Sequence, residues 1–377
     1  MFTPPFCPYP ACHNHVTPTV DDWWKPVGFH DTKAFGKVPR YRCRQCGRTF
    51  SVQTFSVHYY AKRVLELRKL ERLAASSVGT RALSREFGCS CGSITNRVDR
   101  LSRQGVGLHS VLRKTVSNAE PVCFDGLVSF DGSQYFPNDI GISVTAGSRF
   151  VLGISHATTR RSGCMNPAQK KRRDSLYEGA KFEVKAVERS FTEHLDMLER
   201  ERTITEAAPL VLVTDEKKEY GRAMESHKLY RNQSEDRRCV HHKVPSTAAR
   251  VFSNPLFASN YIDREVRKDQ ANHRRETTCF SLNAANMMNR LYSYMVHHNY
   301  DKRYLIKWPV IRTETAAEVA GIDKELLLQL RDQMFTQRIF LSHLQLDPID
   351  LKVWKKTVFS AEAGALVSGY LPKYAFG

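Results

Sequence analysis

The chain has 377 residues, 41% hydrophobic and 25% charged, the balance of a globular protein rather than a disordered or fibrous one. At 43.2 kDa it has room for two or three domains, each with its own core. No apolar run approaches the roughly 20 residues that span a bilayer, and MFTPPFCPYPAC lacks the charged and apolar regions of a secretory signal. Membrane and secreted classes are therefore disfavoured, and a cytoplasmic location is expected. The net charge is +18, and it is uneven: residues 1–116 hold 19 basic and 7 acidic side chains. Lys and Arg displace condensed counterions from polyphosphates, so a basic amino-terminal third favours a nucleic-acid partner.

Ten cysteines are present. Cys89, Cys91, Cys123, Cys164, Cys239 and Cys279 are scattered, and several sit in apolar or strand-like contexts where they need be no more than small core residues. The other four form two early pairs, Cys7 with Cys12 and Cys43 with Cys46. In RYRCRQCGRTF (40–50) the C-x-x-C turn aims two thiolates at one point, and Gly47 lets the backbone fold back. Tetrahedral zinc needs two such corners. The 7–12 corner has a wider gap, with His13 and His15 beside it as rival ligands. A disulfide is disfavoured in an intracellular chain. The reading is a closed, structural zinc ribbon over residues 5–50.

Residues 59–75 carry Val64, Leu67 and Leu70 or Leu73 at helical spacing. A short helix with Leu83 and Phe87 follows and ends at Gly88. A second begins near Ser90 to Ser93 and buries Ile94, Val98 and Leu101. Two short helices about a Gly turn are the helix-turn-helix pattern, whose second helix enters a major groove. Its expected outward residues, Thr95, Asn96, Arg97 and Arg100, are types suited to base contacts. The competing reading is a plain helical hairpin. Residues 104–120, with Gly105 and Gly107, read as a linker.

From residue 121 the pattern turns to strands. PVCFDGLVSF (121–130) is apolar and bracketed by turn residues. DIGISVTA (139–146) alternates as a half-buried strand does, and RFVLGISHA (149–157) follows a Gly147–Ser148 turn. A charged stretch, 160–174, leads to a helix with Val184, Val187, Phe191, Leu195 and Leu198 on one stripe. Leu210–Thr214 is a buried strand ending on Asp215, and 238–244 is another strand. Residues 259–299 are helical, packing through Met288, Leu291, Tyr292 and Met295. The order resembles a ribonuclease-H-like fold, in which acids stand on the first strand, after the fourth, and on a later helix.

Asp125, Asp215 and Asp263 occupy those positions. Three carboxylates suit a pair of divalent cations that activate an attacking oxygen and stabilise a leaving one in phosphoryl displacement. Each acid also has an ordinary reading: Asp125 as a turn residue with Asp131 its rival, Asp215 as a helix cap, and Asp263 paired with Arg267 at i+4 with Glu265 its rival. His241 and His242 fit a DNA-facing surface better than acid–base work. Lys170, Lys171, Arg172 and Arg173 read as a solvated run or a phosphate clamp.

Several blocks together resemble bacterial insertion-sequence transposases of the DDE class, with a zinc ribbon and helix-turn-helix ahead of the catalytic domain. They are RYRCRQCGRTF, FDGLVSFDGSQYFP (124–137), the RRSG…M run (160–165), LVTDE (212–216), NPLF (254–257), ANHRRETTCFS (271–281) and HHNYDK (297–302). The resemblance spans roughly residues 5–303. It implies Asp125 and Asp215 as the first two acids and Asp263 as the third, where related sequences usually carry Glu.

The expected fold is thus α+β and multidomain: a zinc ribbon (1–52), a helix-turn-helix domain (53–116), a ribonuclease-H-like mixed-sheet catalytic domain (117–303) and a C-terminal extension of unassigned role (304–377). The resemblance implies a nucleoid-associated transposase that binds terminal inverted repeats of double-stranded DNA and cleaves and joins strands. It would use two Mg²⁺ or Mn²⁺ ions on Asp125, Asp215 and Asp263, one structural Zn²⁺ on Cys7, Cys12, Cys43 and Cys46, and a homo-oligomeric assembly. The alternatives are a non-catalytic DNA-binding regulator with a degenerate nuclease fold, and a nuclease that cuts without joining.

Overall fold

Trp24–Thr32 (β1), Gly36–Cys43 (β2) and Thr49–Ser51 (β3) form an antiparallel sheet in that order. This is the start of a computed structural model that describes residues 2–18, 20–205, 207–231, 239–274, 279–305, 313–372 and 375. The described chain is a mixed α/β protein. The small sheet has a core of its own, in which Trp23 stacks on Phe50 and both pack with Tyr41 and the cysteines. So few apolar side chains rarely hold a fold without a cross-link. The unit leans on the far end of the chain: Phe6 and Phe55 meet Phe340, and His15 Nε2 lies 2.6 Å from Ser342 Oγ.

Three helices follow: Leu67–Ala75 (α1), Thr80–Glu86 (α2) and Cys91–Leu112 (α3). The expected helix at 59–75 loses its first half. Tyr60 takes a left-handed φ of +58° and Val64 is exposed. Gly88, at φ +55°, ends the turn after α2 as expected. Ser90 caps α3 by accepting the Ser93 N–H, and Ile94, Val98 and Leu101 are buried.

Two expectations for α3 are overturned. Residues 104–120 do not form a linker, because α3 runs on to Leu112 as a buried helix. A Cβ at Gly105 would lie 2.8 Å from Val296, and one at Gly107 2.8 Å from Ile339. These glycines permit close packing rather than marking a break. Nor do Arg97 and Arg100 face outward; both are buried. Arg97 donates to the Arg63 carbonyl and Arg100 to the Val57 carbonyl, and both donate to Asn96 Oδ1. The chain before α1 supplies carbonyl acceptors that draw them in. Thr95 and Asn96 are half-buried.

The large sheet contains Val122–Asp131 (β4), Ser133–Thr145 (β5), Val151–Ile154 (β6) and Ala157–Thr158 (β7). After helices Pro167–Tyr177 (α4) and Ala186–Glu201 (α5) come Leu210–Asp215 (β8), Lys218–Ser226 (α6), Lys228–Arg231 (α7) and Cys239–Val244 (β9). The order is β6-β5-β4-β8-β9, with β7 also on β5. β4, β5 and β6 are antiparallel, while β8 joins β4, and β9 joins β8, in parallel. β5 is buried on both faces from Pro137 to Thr145 rather than on one. On one face Phe124 meets Phe191 and His194 of α5 and Tyr220 of α6. The other is covered by Phe257–Asp269 (α8). Val184, expected on the α5 stripe, precedes the helix and is exposed.

Ala284–Tyr300 (α9) packs along α3. The tail contributes Ala316–Val319 (α10), Lys324–Thr336 (α11), Pro348–Trp354 (α12) and the hairpin of Thr357–Ser360 (β10) and Ala365–Ser368 (β11). Its helices join the core. Arg331 of α11 pairs with Glu71 at 2.7 Å and with Asp301. Arg113 reaches Glu201 at 2.6 Å and Asp350 at 2.7 Å, and Lys356 reaches Asp99 at 2.9 Å. Buried pairs of this kind join residues far apart in the chain and leave a costly uncompensated charge if one partner is lost. Among the described residues, no helix is long and apolar enough to cross a membrane.

Candidate active site

The four early cysteines converge. The sulfurs of Cys7, Cys12, Cys43 and Cys46 all lie within 4.8 Å of one another, with Cys7–Cys46 and Cys12–Cys43 each at 3.7 Å. No disulfide joins them. Burial disfavours a thiolate at Cys43, but the N–H groups of Cys46 and Gln45 and the Asn14 amide draw it down to about 7. Four thiols this close together could hold a structural metal ion such as zinc. His15, a rival ligand, is engaged elsewhere: its Nδ1 lies 2.6 Å from the Cys7 carbonyl and its Nε2 faces Ser342.

The acids come together at one end of the large sheet. β4 and β8 pair with Val122 opposite Leu212 and Cys123 opposite Val213. The ladder ends there: Asp125 and Asp215 each follow it by two residues, and the Asp125 carboxyl feels the charge of Asp215. Phe124 faces α5 and α6, so alternation turns Asp125 to the α8 side. Asp263 stands on α8 next to Ile262, which is buried against the sheet. Burial, and then the negative charges of Asp263 and Asp215, push the Asp125 carboxyl up to about 7, against the Gly126 N–H and Lys217. The three carboxylates share one electrostatic site, although their oxygens do not all lie within 4.8 Å of one another. Asp215 Oδ1 accepts the Lys217 N–H at 3.0 Å.

The rivals go elsewhere. Glu265 is buried and paired with Lys302 at 2.5 Å. Asp131 is at the opposite end of β4, bridged to Ser281 and accepting the Ala284 N–H at the start of α9. Asp263 also makes the i+4 pair with Arg267, at 3.4 Å. His241 Nε2 lies 2.8 Å from Thr214 Oγ1, and burial, with the charge of Lys243, lowers its pKa to about 4. His242 is exposed.

Two further residues were not singled out from the sequence. Lys217 Nζ donates to Asp139 Oδ2 at 2.6 Å, and the Asp139 side chain is 8% exposed. Asp139, Asp125 and Asp215 all hold the Lys217 ammonium in its charged form against burial. The available signal was an acid at the head of an apolar strand and a Lys two places after Asp215; nothing linked the two. No family model and no curated protein sequence matches this chain.

Proposed function

We propose that this protein is a DNA transposase of the DDE type, cleaving and rejoining strands in duplex DNA. One observation carries the reading. Asp125 and Asp215 each stand two residues past the paired stretch of two adjacent parallel strands, Asp263 stands on the helix packed over the sheet, and the Asp125 carboxyl feels the charge of both other acids. A sheet with three antiparallel strands and two added in parallel beside the first supports a ribonuclease-H-like catalytic domain.

Three carboxylates that share one site, with Lys217 as their neighbouring cation itself committed to Asp139, offer oxygen donors of the type that divalent metal ions take. When bound, Mg²⁺ or Mn²⁺ would activate an attacking oxygen and stabilise a leaving one. The protein's own share is placement. Asp125 and Asp215 are fixed by strand register, Asp263 by α8, and the Lys217 N–H orients the Asp215 carboxylate. The cysteine cluster would carry structural zinc. The solvent side of α2 and the start of α3, with Arg81, Arg85 and Ser90, would meet DNA at the element ends, and two copies would hold two ends.

The test is Asp215→Asn in purified protein given Mg²⁺ and DNA carrying the element ends. Strand cleavage should fall at least a hundredfold with the melting temperature retained. Cleavage at the wild-type rate rejects the assignment.

A further inference from the structure

The helix α4 lies in a 27-residue excursion between β7 and α5, and none of its eleven residues is buried. An isolated helix of this length is marginal in water. Two devices hold it. Asn166 and Gln169 close a capping box at its start, with Pro167 at the first position. At its end Tyr177 donates to the Tyr135 carbonyl at 2.5 Å and accepts the Arg161 N–H at 2.9 Å, while its ring packs on Phe136 and Phe182.

The helix carries Lys170, Lys171, Arg172 and Arg173 in succession. The first three are exposed, and none makes an ion pair among the described residues; Arg173 pairs with Asp174. Arg160 and Arg161 lie over the Phe182 and Tyr135 rings at its foot. Four adjacent cations cover every side of a helix and repel one another. A helix that has no fully buried residue and concentrates charge is explained by a partner that supplies the opposite charge.

We infer that α4 is a docking arm for the phosphate backbone of duplex DNA, engaged away from the acid site; this rests on the reading of the protein as a transposase. The anchor residue Tyr135 and Ile142, which pairs with Asp125, are both on β5. Seven residues of strand at about 3.4 Å each set them about 24 Å apart. That is about seven base pairs of duplex at 3.4 Å per step, within one helical turn.

The experiment replaces Lys170, Lys171 and Arg172 together with Ala. The change removes no buried contact and raises helix propensity. A matched control replaces Arg222, Lys228 and Lys324, exposed cations that already pair with carboxylates. Binding to a labelled 40-base-pair duplex of random sequence is titrated from 50 to 300 mM salt, with circular dichroism and sedimentation on each protein. Each lost phosphate contact flattens the slope of log K against log salt by about 0.9. The α4 variant should lose 2 to 3 from that slope, and the control less than 1. An equal loss in both proteins overturns the arm, since the effect would then be diffuse charge. So does an unchanged slope, with or without altered self-association. If the wild type shows no salt-dependent binding at all, the transposase reading itself fails.

Discussion

A single methyl group beside the acid site tests the geometry most sharply. Gly126 follows Asp125 and pairs with Gly141 on β5. A Cβ there would lie 2.9 Å from both Cγ and Oδ2 of Asp139, and nearer still to Oδ1. The Asp139 carboxylate is buried and held by Lys217 at 2.6 Å, so it cannot swing aside without loosening that pair. Overpacking of this kind costs about 1–3 kcal/mol. Partial loss of the ion pair brings the expected total for Gly126→Ala to about 2–4 kcal/mol. At an unfolding entropy of about 2.1 cal/mol/K per residue, the chain loses about 0.8 kcal/mol for each degree, so the melting temperature should drop by about 3–5 °C. The double variant Gly126→Ala, Asp139→Ala removes the obstacle along with the acid. It should melt about 2–3 °C above the sum of the two single effects. Scanning calorimetry on the four proteins measures this directly. Strict additivity, or a Gly126→Ala protein melting within a degree of wild type, would show that Asp139 does not lie over Gly126.

The Asp125 carboxyl makes stability depend on pH. Its folded value, about 7, exceeds the ordinary 3.8, because burial and the charges of Asp263 and Asp215 disfavour ionisation. The unfolded chain therefore releases this proton first, and folded stability declines as pH rises from about 4 through 7. Asp125→Asn should match wild type near pH 4 and melt higher at pH 8, a gap that Mg²⁺ narrows by stabilising wild type alone; equal melting at pH 8 in chelator would exclude the raised carboxyl. For the cysteine cluster, one zinc per chain is expected by elemental analysis and none in Cys43→Ser. Loss of the ion should expose Trp23, now 4% exposed, and red-shift its fluorescence. A full zinc complement in Cys43→Ser would exclude the four-cysteine site.

Local pattern made the small elements legible. The C-x-x-C corner with Gly47, which does adopt φ +69°, the stop at Gly88, and the apolar run closing on Asp215 were all readable from short-range signals. So were the buried positions Ile94, Val98 and Leu101, because helical periodicity depends on neighbours within a few residues. Asp125 and Asp215 were readable as acids on strands, but their shared electrostatic site depends on a parallel pairing of strands ninety positions apart.

Tertiary structure alone decided the rest. Arg97 and Arg100 read as surface residues because their charge is local information, whereas the carbonyls of Val57 and Arg63 that bury them are 43 and 34 positions away. Gly105 and Gly107 read as a break because α9 and Ile339, which need their missing side chains, lie beyond any local window. The pairing of Asp139 with Lys217, and the part played in the core by the helices between Ala316 and Trp354, were equally hidden. A sequence determines which stretches can form a helix, strand or turn through forces acting over one or two turns of chain. Which charge is buried, and which glycine is packed rather than flexible, depends on partners that arrive only when distant segments close on one another.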